Sequence, residues 1–216
     1  MTISDHINAR KVEEVVHFTT NHGCLGTIFT KKLQSRERLN GDPMVEYLFK
    51  PNAQLRKDVD YIDFVSLSIA HLNHQFYGVS AGSWHRDEPI FWCVLAFDPS
   101  ILTHPGAVFA TTNNIYTGVI RGEGANGFEA LYANQVMRWY GNSVTRSDAL
   151  RDAYPTCFQA EVLYPQSVST EHLIRIYVQN QSDQSEVVGF LKATFHRDVD
   201  VIVDPSKFGP RPICTL

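Results

Sequence analysis

Val15-Val16-His17-Phe18-Thr19 is a run of β-branched and aromatic residues, a composition that is typical of a β-strand. The turn-prone Asn21-His22-Gly23 follows it. After that, apolar residues recur at the three-to-four spacing of a helix, at Leu25, Ile28, Phe29 and Leu33. The stretch therefore predicts a strand, a turn and a helix in succession.

Strand signals dominate the rest of the chain. The predicted strands are Tyr61 to Ile69, Ile90 to Phe97, Ala107 to Thr111, Phe158 to Leu163, Leu173 to Val178 and Val199 to Val203. The predicted helices are Phe128 to Trp139, within a loop-like insertion from Gly118 to Tyr154, and Glu186 to Phe195. Asp98-Pro99 predicts a short helical turn. No repeat or linker divides the chain, so we expect an α+β fold in a single domain over residues 1–216.

The composition is that of an ordinary folded domain. Of the 216 residues, 44% are hydrophobic and 12% aromatic, enough to bury one core without disulfides or metals. No stretch approaches the roughly 18 apolar residues of a membrane span, and Met1 to Asn8 lacks the features of a signal peptide. Four widely spaced cysteines argue against a zinc clip or a disulfide framework. We expect a cytoplasmic protein with reduced cysteines and no membrane partner.

The formal net charge of −4 argues against a protein that coats nucleic acid indiscriminately, because such binding depends on Lys and Arg neutralising phosphates. The charge is uneven, however. Residues 31–57 carry seven Lys or Arg against three acidic residues, whereas residues 183–204 are acidic. Any contact with nucleic acid is expected to be local, and the N-terminal third is the expected anion-facing side.

Two segments carry side chains suited to chemistry on a nucleotide. His17 and Thr19 share one face of the predicted strand and can hydrogen-bond a ribose or an amide, although a histidine satisfied within the core explains the same pattern. Glu161 lies in an otherwise apolar run, where a buried carboxylate requires a partner or a use. Alternation offers the other interpretation, in which Glu161 shares a solvent face with Gln159. The residues alone leave both pairs of alternatives open.

Other motifs are weaker. Arg56 precedes a strand and suits bidentate recognition of a pyrophosphate, but a charged segment beside a strand is commonly a solvated loop. The loop pair Trp84-His85 can form a packing lid or a stacking platform. His71 and His74 have no third ligand nearby, so we predict no zinc. The sequence contains no dinucleotide-binding glycine fingerprint, phosphate loop or nucleophile elbow, which removes the main support for Rossmann, kinase and hydrolase functions.

Five segments stand out together and in order: Val16-His17-Phe18-Thr19; Arg56-Lys57-Asp58 leading into Asp63-Phe64-Val65-Ser66-Leu67-Ser68-Ile69; Ser83-Trp84-His85; Ala110-Thr111-Thr112-Asn113-Asn114; and Gln159-Ala160-Glu161-Val162-Leu163. In this order they resemble the DarT family of bacterial DNA ADP-ribosyltransferase toxins. The resemblance spans most of the chain. It implies an ADP-ribosyltransferase-like fold, in which a split β-sheet core with flanking helices holds NAD in a cleft.

The resemblance also implies roles for individual residues. Glu161 is the expected catalytic carboxylate, and Arg56 is expected to contact the NAD phosphates or shape the catalytic site. His17 and Thr19 are expected to hold the nicotinamide ribose and the adjoining amide. The insertion before Glu161 corresponds to a substrate-recognising loop, and the expected contacts with DNA are Arg138, Arg146, Arg151, Trp84 and His85. NAD is the expected co-substrate, and no metal is expected.

The family comprises toxins that modify a base in single-stranded DNA and are neutralised by an antitoxin that removes the mark or blocks the toxin. One branch modifies thymine and another guanine. The segment Asp63 to Ile69 departs from the aromatic, proline-containing run that we associate with the thymine branch, so guanine is favoured here. Two alternatives remain: an ADP-ribosyltransferase that acts on RNA or protein, and a catalytically inactive module that binds a nucleotide or DNA.

Overall fold

The structure is a computed structural model in which residues 1–39 and 61–212 are described. The predicted strand and helix near the N-terminus are both present, as β1 (Val15–Thr20) and α2 (Asn21–Thr30). The helix is shorter than predicted, because Lys31 ends it with a left-handed φ of 56°, and Leu33 lies instead in a short strand, Lys32–Gln34. The turn predicted at Asn21-His22-Gly23 is wrong, because these residues form the first turn of α2. The hydroxyl of Thr20 caps that turn and accepts a hydrogen bond from the Gly23 amide at 3.2 Å, so the helix begins directly after the strand.

The described residues contain further elements in the following order: α1 (Ile3–Arg10) before β1, then β2 (Lys32–Gln34), β3 (Phe64–Ile69), α3 (His74–Val79), β4 (Trp92–Phe97), β5 (Val108–Ala110), β6 (Arg121–Glu123), α4 (Gly124–Ala130), β7 (Gln135–Trp139), β8 (Asn142–Thr145), β9 (Glu161–Pro165), β10 (Ser167–Ser169), β11 (Leu173–Val178), α5 (Gln181–Ala193) and β12 (Asp200–Val203). The predicted α+β class with short strands is confirmed. A 3-10 turn at Pro99–Thr103, capped by Asp98, matches the prediction for Asp98-Pro99.

Eight strands form one mixed sheet in the order β12-β11-β4-β1-β3-β9-β5-β6. β1 pairs with β4 along its whole length, through six residue pairs, but meets β3 through two pairs, Val15 with Ile69 and Val16 with Ser68. The sheet therefore consists of two four-stranded halves joined by a short contact between β1 and β3. Apolar side chains pack against both of its faces, and β4 is buried along its whole length. His17, Phe18 and Thr19 of β1 are only partly buried.

The helix predicted for Phe128 to Trp139 is wrong. α4 ends at Ala130, and a two-stranded hairpin of β7 and β8 follows it. Apolar residues at alternating and at three-to-four spacings both fit this stretch. The two-residue turn between the strands explains the outcome, because Gly141 adopts a φ of 74°, which favours glycine and reverses the chain.

Other predicted boundaries also move, and β3 begins at Phe64 rather than at the predicted Tyr61. Two of the shifts have local reasons. β9 begins at Glu161, three residues later than predicted, because the Ala160 amide bonds the carbonyl of Cys157 in a turn. α5 begins at Gln181, five residues earlier than predicted, because the Asn180 side chain caps it and accepts from the Asp183 amide at 3.0 Å. The first of these shifts places Glu161 at the very start of its strand.

The segment after β12 returns across the body of the protein. Lys207 forms an ion pair with the buried Glu14, and Arg211 donates to the carbonyl of Pro155 at 2.7 Å. Burial lowers the pKa of the Arg211 guanidinium to about 10. The residues at Pro210-Arg211-Pro212 are thus held against the loop that leads into β9.

Candidate active site

Glu161 is buried, with 7% of its surface exposed, because β9 lies between β3 and β5. The Ser66 hydroxyl donates to its Oε2 at 2.7 Å, and the backbone amide of Asn114 donates to its Oε1 at 3.4 Å. Gln159 is also buried, so the interpretation of a solvent face shared by Gln159 and Glu161 is wrong. Protein donors therefore replace water at both oxygens of the buried Glu161 carboxylate, which offsets part of the cost of burying it.

His17 lies where the pairing between β1 and β3 stops. Its Nδ1 is 2.9 Å from the backbone carbonyl of Ser66, and since a carbonyl only accepts, Nδ1 carries the proton of this bond. The imidazole thus donates to the Ser66 carbonyl of β3, which lies beyond the last residue pair between β1 and β3. Ser66 contacts both sequence-predicted residues, His17 through its backbone and Glu161 through its side chain. The structure therefore brings His17 and Glu161 to the junction of the two half-sheets.

Thr19 follows His17 on the same face of β1, as predicted from the strand period. Its hydroxyl lies over the first turn of α2. A Cβ added at Gly23 would come within 2.0 Å of Thr19 Oγ1, closer than any real contact. Gly23 is therefore required for this position of Thr19. Sequence reasoning took Gly23 for a turn residue and missed this role; the available signal was a glycine in the first helical turn after a strand.

The segment after β5 supplies the backbone donor to Glu161. Thr111, Thr112 and Asn114 of this segment are buried. Arg121, on β6, donates from Nε to Asn114 Oδ1 and from Nη2 to the Asn114 carbonyl, both at 2.5 Å. This two-point bond fixes the side chain and the backbone of Asn114 together. The sequence analysis did not single out Arg121.

The β7–β8 hairpin lies beside the same segment. Gln159 donates to the hydroxyl of Tyr116 at 3.1 Å, and the Tyr116 ring packs edge-on against Trp139, with 5.0 Å between ring centroids. Trp139 is 40% exposed and Tyr140, at the hairpin turn, is 95% exposed. Together with the exposed Ile115, Ile120 and Met137, they form an apolar surface that we call the hairpin surface. It connects to β9 through Tyr116 and Gln159.

The arginines predicted to contact DNA occupy different environments. The Arg138 guanidinium lies 5.6 Å from the ring centres of both Trp139 and Phe158. Arg146 donates to the carbonyls of Tyr154 at 2.8 Å and Arg151 at 3.1 Å, and burial lowers its pKa. Arg151 is exposed. Of the three, Arg146 has a clear structural use in holding the loop before β9.

The predicted pair Trp84 and His85 lies on another part of the fold. Trp84 ends a short π-helical turn after α3 and packs edge-on against Phe76, at 5.7 Å. His85 is buried, and its Nδ1 is 2.9 Å from Glu88 Oε1. Phe18 of β1 also packs against Phe76, at 5.4 Å. Since Phe18 alternates with His17 and Thr19, this loop covers the opposite face of β1 from them.

Arg56, which was predicted to contact the NAD phosphates, lies outside the described residues. Within residues 1–39 and 61–212, no three His, Cys, Asp or Glu side chains are grouped as metal ligands would be. In the same part of the chain, no helix has the length and apolar composition needed to cross a membrane.

Comparisons with known proteins point to one family. The family model described as "ssDNA thymidine ADP-ribosyltransferase, DarT" matches residues 16–209. No curated protein matches the sequence. Among solved structures, the chain is similar to Thermus sp. 2.9 DarT in complex with ADP-ribosylated ssDNA, at 15% identity and a TM-score of 0.64 over 92% of this chain and 97% of that one.

Two further structures are similar. Thermus sp. 2.9 DarT in complex with NAD+ gives a TM-score of 0.61 at 15% identity, over 92% of this chain and 98% of that one. Thermosipho africanus DarTG in complex with ADP-ribose gives 0.58 at 15% identity, over 91% of this chain and 51% of that one. At these identities the likeness establishes the fold, and the predicted ADP-ribosyltransferase-like fold is confirmed.

Proposed function

Because the chain belongs to the DarT family of single-stranded DNA ADP-ribosyltransferases, we propose that it transfers ADP-ribose from NAD to a base of single-stranded DNA and releases nicotinamide. NAD is its co-substrate. The observation that carries the proposal is the buried Glu161 carboxylate, which hydrogen bonds from Ser66 and Asn114 hold at the junction of the two half-sheets, beside His17.

Glu161 is the proposed catalytic residue. When the bond between nicotinamide and ribose breaks, its electron pair leaves with the nicotinamide and positive charge develops on the sugar. A fixed carboxylate stabilises that charge more strongly in the transition state than in the ground state. The Ser66 and Asn114 donors keep the carboxylate in one orientation, so little reorganisation is needed during the reaction. As a second duty, Glu161 accepts the proton that the attacking base nitrogen loses.

His17 and Thr19 are proposed to hold the nicotinamide ribose and the adjoining amide. Both side chains lie on one face of β1, and the bond from His17 to the Ser66 carbonyl fixes the orientation of the ring. Arg56 is proposed to contact the NAD phosphates, as a planar guanidinium suits a pyrophosphate. These assignments place the nicotinamide end of NAD next to Glu161.

Gly23→Ala is expected to weaken NAD binding. The added Cβ forces the Thr19 side chain to rotate, since its hydroxyl would otherwise lie 2.0 Å away. The loss of one hydrogen bond to the substrate raises the KM for NAD about tenfold. Steady-state kinetics with varied NAD measures it. Gly189→Ala is the matched control, because a Cβ at Gly189 in α5 meets nothing within 4 Å. An unchanged KM in Gly23→Ala would remove the role assigned to Thr19.

The hairpin surface is proposed to bind the DNA strand. Attack by a base requires an unstacked nucleotide, and exposed aromatic side chains stack on bases whatever their sequence. Trp139 and Tyr140 supply such rings, and Tyr116 and Gln159 link them to the strand that carries Glu161. Arg138 and Arg151 are proposed to meet DNA phosphates. The contacts of Arg146, Trp84 and His85 with DNA stay predictions. In the structure, these three side chains contact other residues of the protein.

Trp139→Ala is expected to lower the affinity for single-stranded DNA. Removal of one stacking ring costs about 1–3 kcal/mol, which corresponds to an increase of about 5-fold to 150-fold in the Kd for DNA, with the KM for NAD unchanged. Titration with a fluorescent oligonucleotide measures it directly. Phe195→Ala is the control, because Phe195 is 92% exposed and lies two residues after the end of α5. Equal DNA affinity in the two variants would rule out the hairpin surface as the DNA site.

We propose guanine as the acceptor base. The proposal rests on β3, whose Phe64 to Ile69 segment lacks the proline-containing aromatic run that we associate with the thymine branch. The description of the family model names thymidine, and thymine is therefore the alternative. Incubation of the enzyme and NAD with oligonucleotides that lack either guanine or thymine separates the two bases.

In the cell, we propose that this single domain acts as the toxin of a toxin–antitoxin pair in the cytoplasm, where NAD and DNA are both present. The antitoxin is a protein that removes the mark or blocks the toxin. Support comes from the family and from the likeness to Thermosipho africanus DarTG, whose chain is about twice the length matched here. Co-expression with candidate antitoxins from the same genome tests it, since a true partner restores growth.

Labelled NAD, incubated with the enzyme and separate pools of single-stranded DNA, RNA and protein, tests the proposed reaction. The expected result is label on DNA and release of nicotinamide. Label on RNA or protein alone supports the alternative acceptors. Binding of NAD or DNA without release of nicotinamide identifies an inactive binding module.

A further inference from the structure

We infer that Arg121 is a positioning residue that holds the Glu161 carboxylate in its reactive orientation through Asn114. The inference rests on the proposed function, since it assigns a role in the same site. It starts from the two-point bond already described: the Arg121 guanidinium donates both to the side-chain oxygen and to the backbone carbonyl of Asn114.

The sheet register aligns the three parts. Arg121 pairs with Ala110 on β5, and Ala110 pairs in turn with Glu161 on β9. Residues directly opposite one another in antiparallel strands point to the same face, so Arg121 and Glu161 share a face of the sheet with one small residue between them. Asn114 belongs to the segment after β5, which passes over this row. Its amide reaches Glu161 Oε1 at 3.4 Å.

The donor to Glu161 Oε1 is the backbone N–H of Asn114, so a side-chain substitution cannot remove it directly. Its direction depends on the backbone conformation of the segment after β5. Connecting segments are more mobile than the strands and helices that they join, so the direction of a backbone donor in such a segment varies unless other bonds hold it. A planar guanidinium bonded at two points fixes both the position and the rotation of the Asn114 peptide, which a single bond would not do. The exposed Arg121 therefore acts on the buried Glu161 carboxylate indirectly, through Asn114.

Arg121→Met removes both bonds with little change in side-chain length. We expect kcat for transfer to DNA to fall about tenfold, the value of weakening one hydrogen bond to a charged group, while the KM for NAD stays within about twofold. Asn114→Ala, which removes the side-chain acceptor, is expected to lower kcat in the same way. Arg121→Lys is expected to behave like Arg121→Met, because an ammonium lacks the planar fork.

Arg197→Met is the matched control. Arg197 is also exposed, and its guanidinium also donates to backbone carbonyls, at Thr170, Glu171 and Leu173, on a different part of the fold. Its loss is expected to lower the Tm at least as much as Arg121→Met and to leave kcat unchanged. This control separates positioning from stability.

The decisive measurement is a double-mutant cycle with Glu161→Gln, with labelled product counted over long incubations. If Arg121 acts through Glu161, then Arg121→Met causes no further loss in the Glu161→Gln background. An equal further loss there, a wild-type kcat in Arg121→Met or full activity in Arg121→Lys would overturn the inference. Full activity in Glu161→Gln itself would instead overturn the proposed function.

Discussion

Glu161→Gln is expected to lower kcat for ADP-ribose transfer about a thousandfold, with the KM for NAD little changed. Gln is close to Glu in size and keeps hydrogen-bonding atoms near Ser66 and Asn114, so the fold should tolerate it. What it removes is the negative charge that faces the developing positive charge on the ribose. An effect on kcat rather than on KM is the signature of an interaction made in the transition state.

The control for this variant is Glu171→Gln, because Glu171 is exposed on the 3-10 turn at Thr170–His172. We expect it to retain wild-type activity. The rates are measured with labelled NAD and a single-stranded oligonucleotide, and the Tm of each variant is compared with that of the wild type. A Glu161→Gln enzyme that is folded and within about tenfold of the wild-type rate would refute the catalytic role.

Glu14→Ala is expected to lower the free energy of unfolding by about 3–5 kcal/mol, the usual cost of removing one partner from a buried ion pair. Glu14 is 4% exposed. It accepts from the Tyr177 hydroxyl at 2.8 Å and pairs with Lys207, and Arg175 Nη1 lies 3.9 Å away. Burial alone would lower the pKa of Lys207, but its bond to Glu14 raises that pKa above its usual value. Without Glu14, the half-buried ammonium has lost its counter-charge.

Urea unfolding measures this change, and a fall in Tm of roughly 10 °C is expected for a chain of this size. Glu13→Ala is a matched control, because Glu13 is the exposed neighbour of Glu14. Its effect should stay within about 0.5 kcal/mol. Because Lys207 precedes Arg211, which bonds the loop before β9, limited proteolysis of Glu14→Ala should also cut the segment after β12 first. Equal stability of the two variants would show that the pair contributes nothing.

The parts of the fold that depend on local sequence could be predicted. β1 and β11 are rich in β-branched residues, which favour a strand, and Asp98-Pro99 favours a short helical turn. The hairpin at 135–145 could not be predicted in the same way, because its apolar residues fit two periods and the deciding feature was the φ of Gly141. A local pattern is ambiguous wherever the pairing partner determines the outcome.

The candidate site was predictable only in part. His17, Thr19 and Glu161 were predicted from the sequence as site residues, and their roles stay predictions. Alternation could not show that Glu161 is buried, since that depends on the position of β9 between β3 and β5. The contact between Ser66 and Glu161 joins residues 95 positions apart. Arg121 and Asn114 are only seven positions apart, yet a strand and a turn bring them together. The number of residues between the two members of such a pair does not predict that they are in contact.

The roles of the three arginines in the insertion could not be distinguished from the sequence. Arg138, Arg146 and Arg151 were treated alike as contacts with DNA because they share an insertion rich in glycine and aromatic residues. In the structure, the guanidinium of Arg146 bonds the backbone carbonyls of Tyr154 and Arg151. A guanidinium that holds a loop and one that meets a phosphate are identical in sequence. Only the acceptors around it distinguish the two uses.

The most direct test of the central claim is mass spectrometry of the nucleosides released from single-stranded DNA after incubation with the enzyme and NAD. We expect one modified nucleoside, deoxyguanosine that carries ADP-ribose, to be formed by the wild type and to be absent with Glu161→Gln. The modification on thymidine would keep the reaction and correct the base. Unmodified nucleosides, with the NAD consumed or intact, would contradict transfer to DNA.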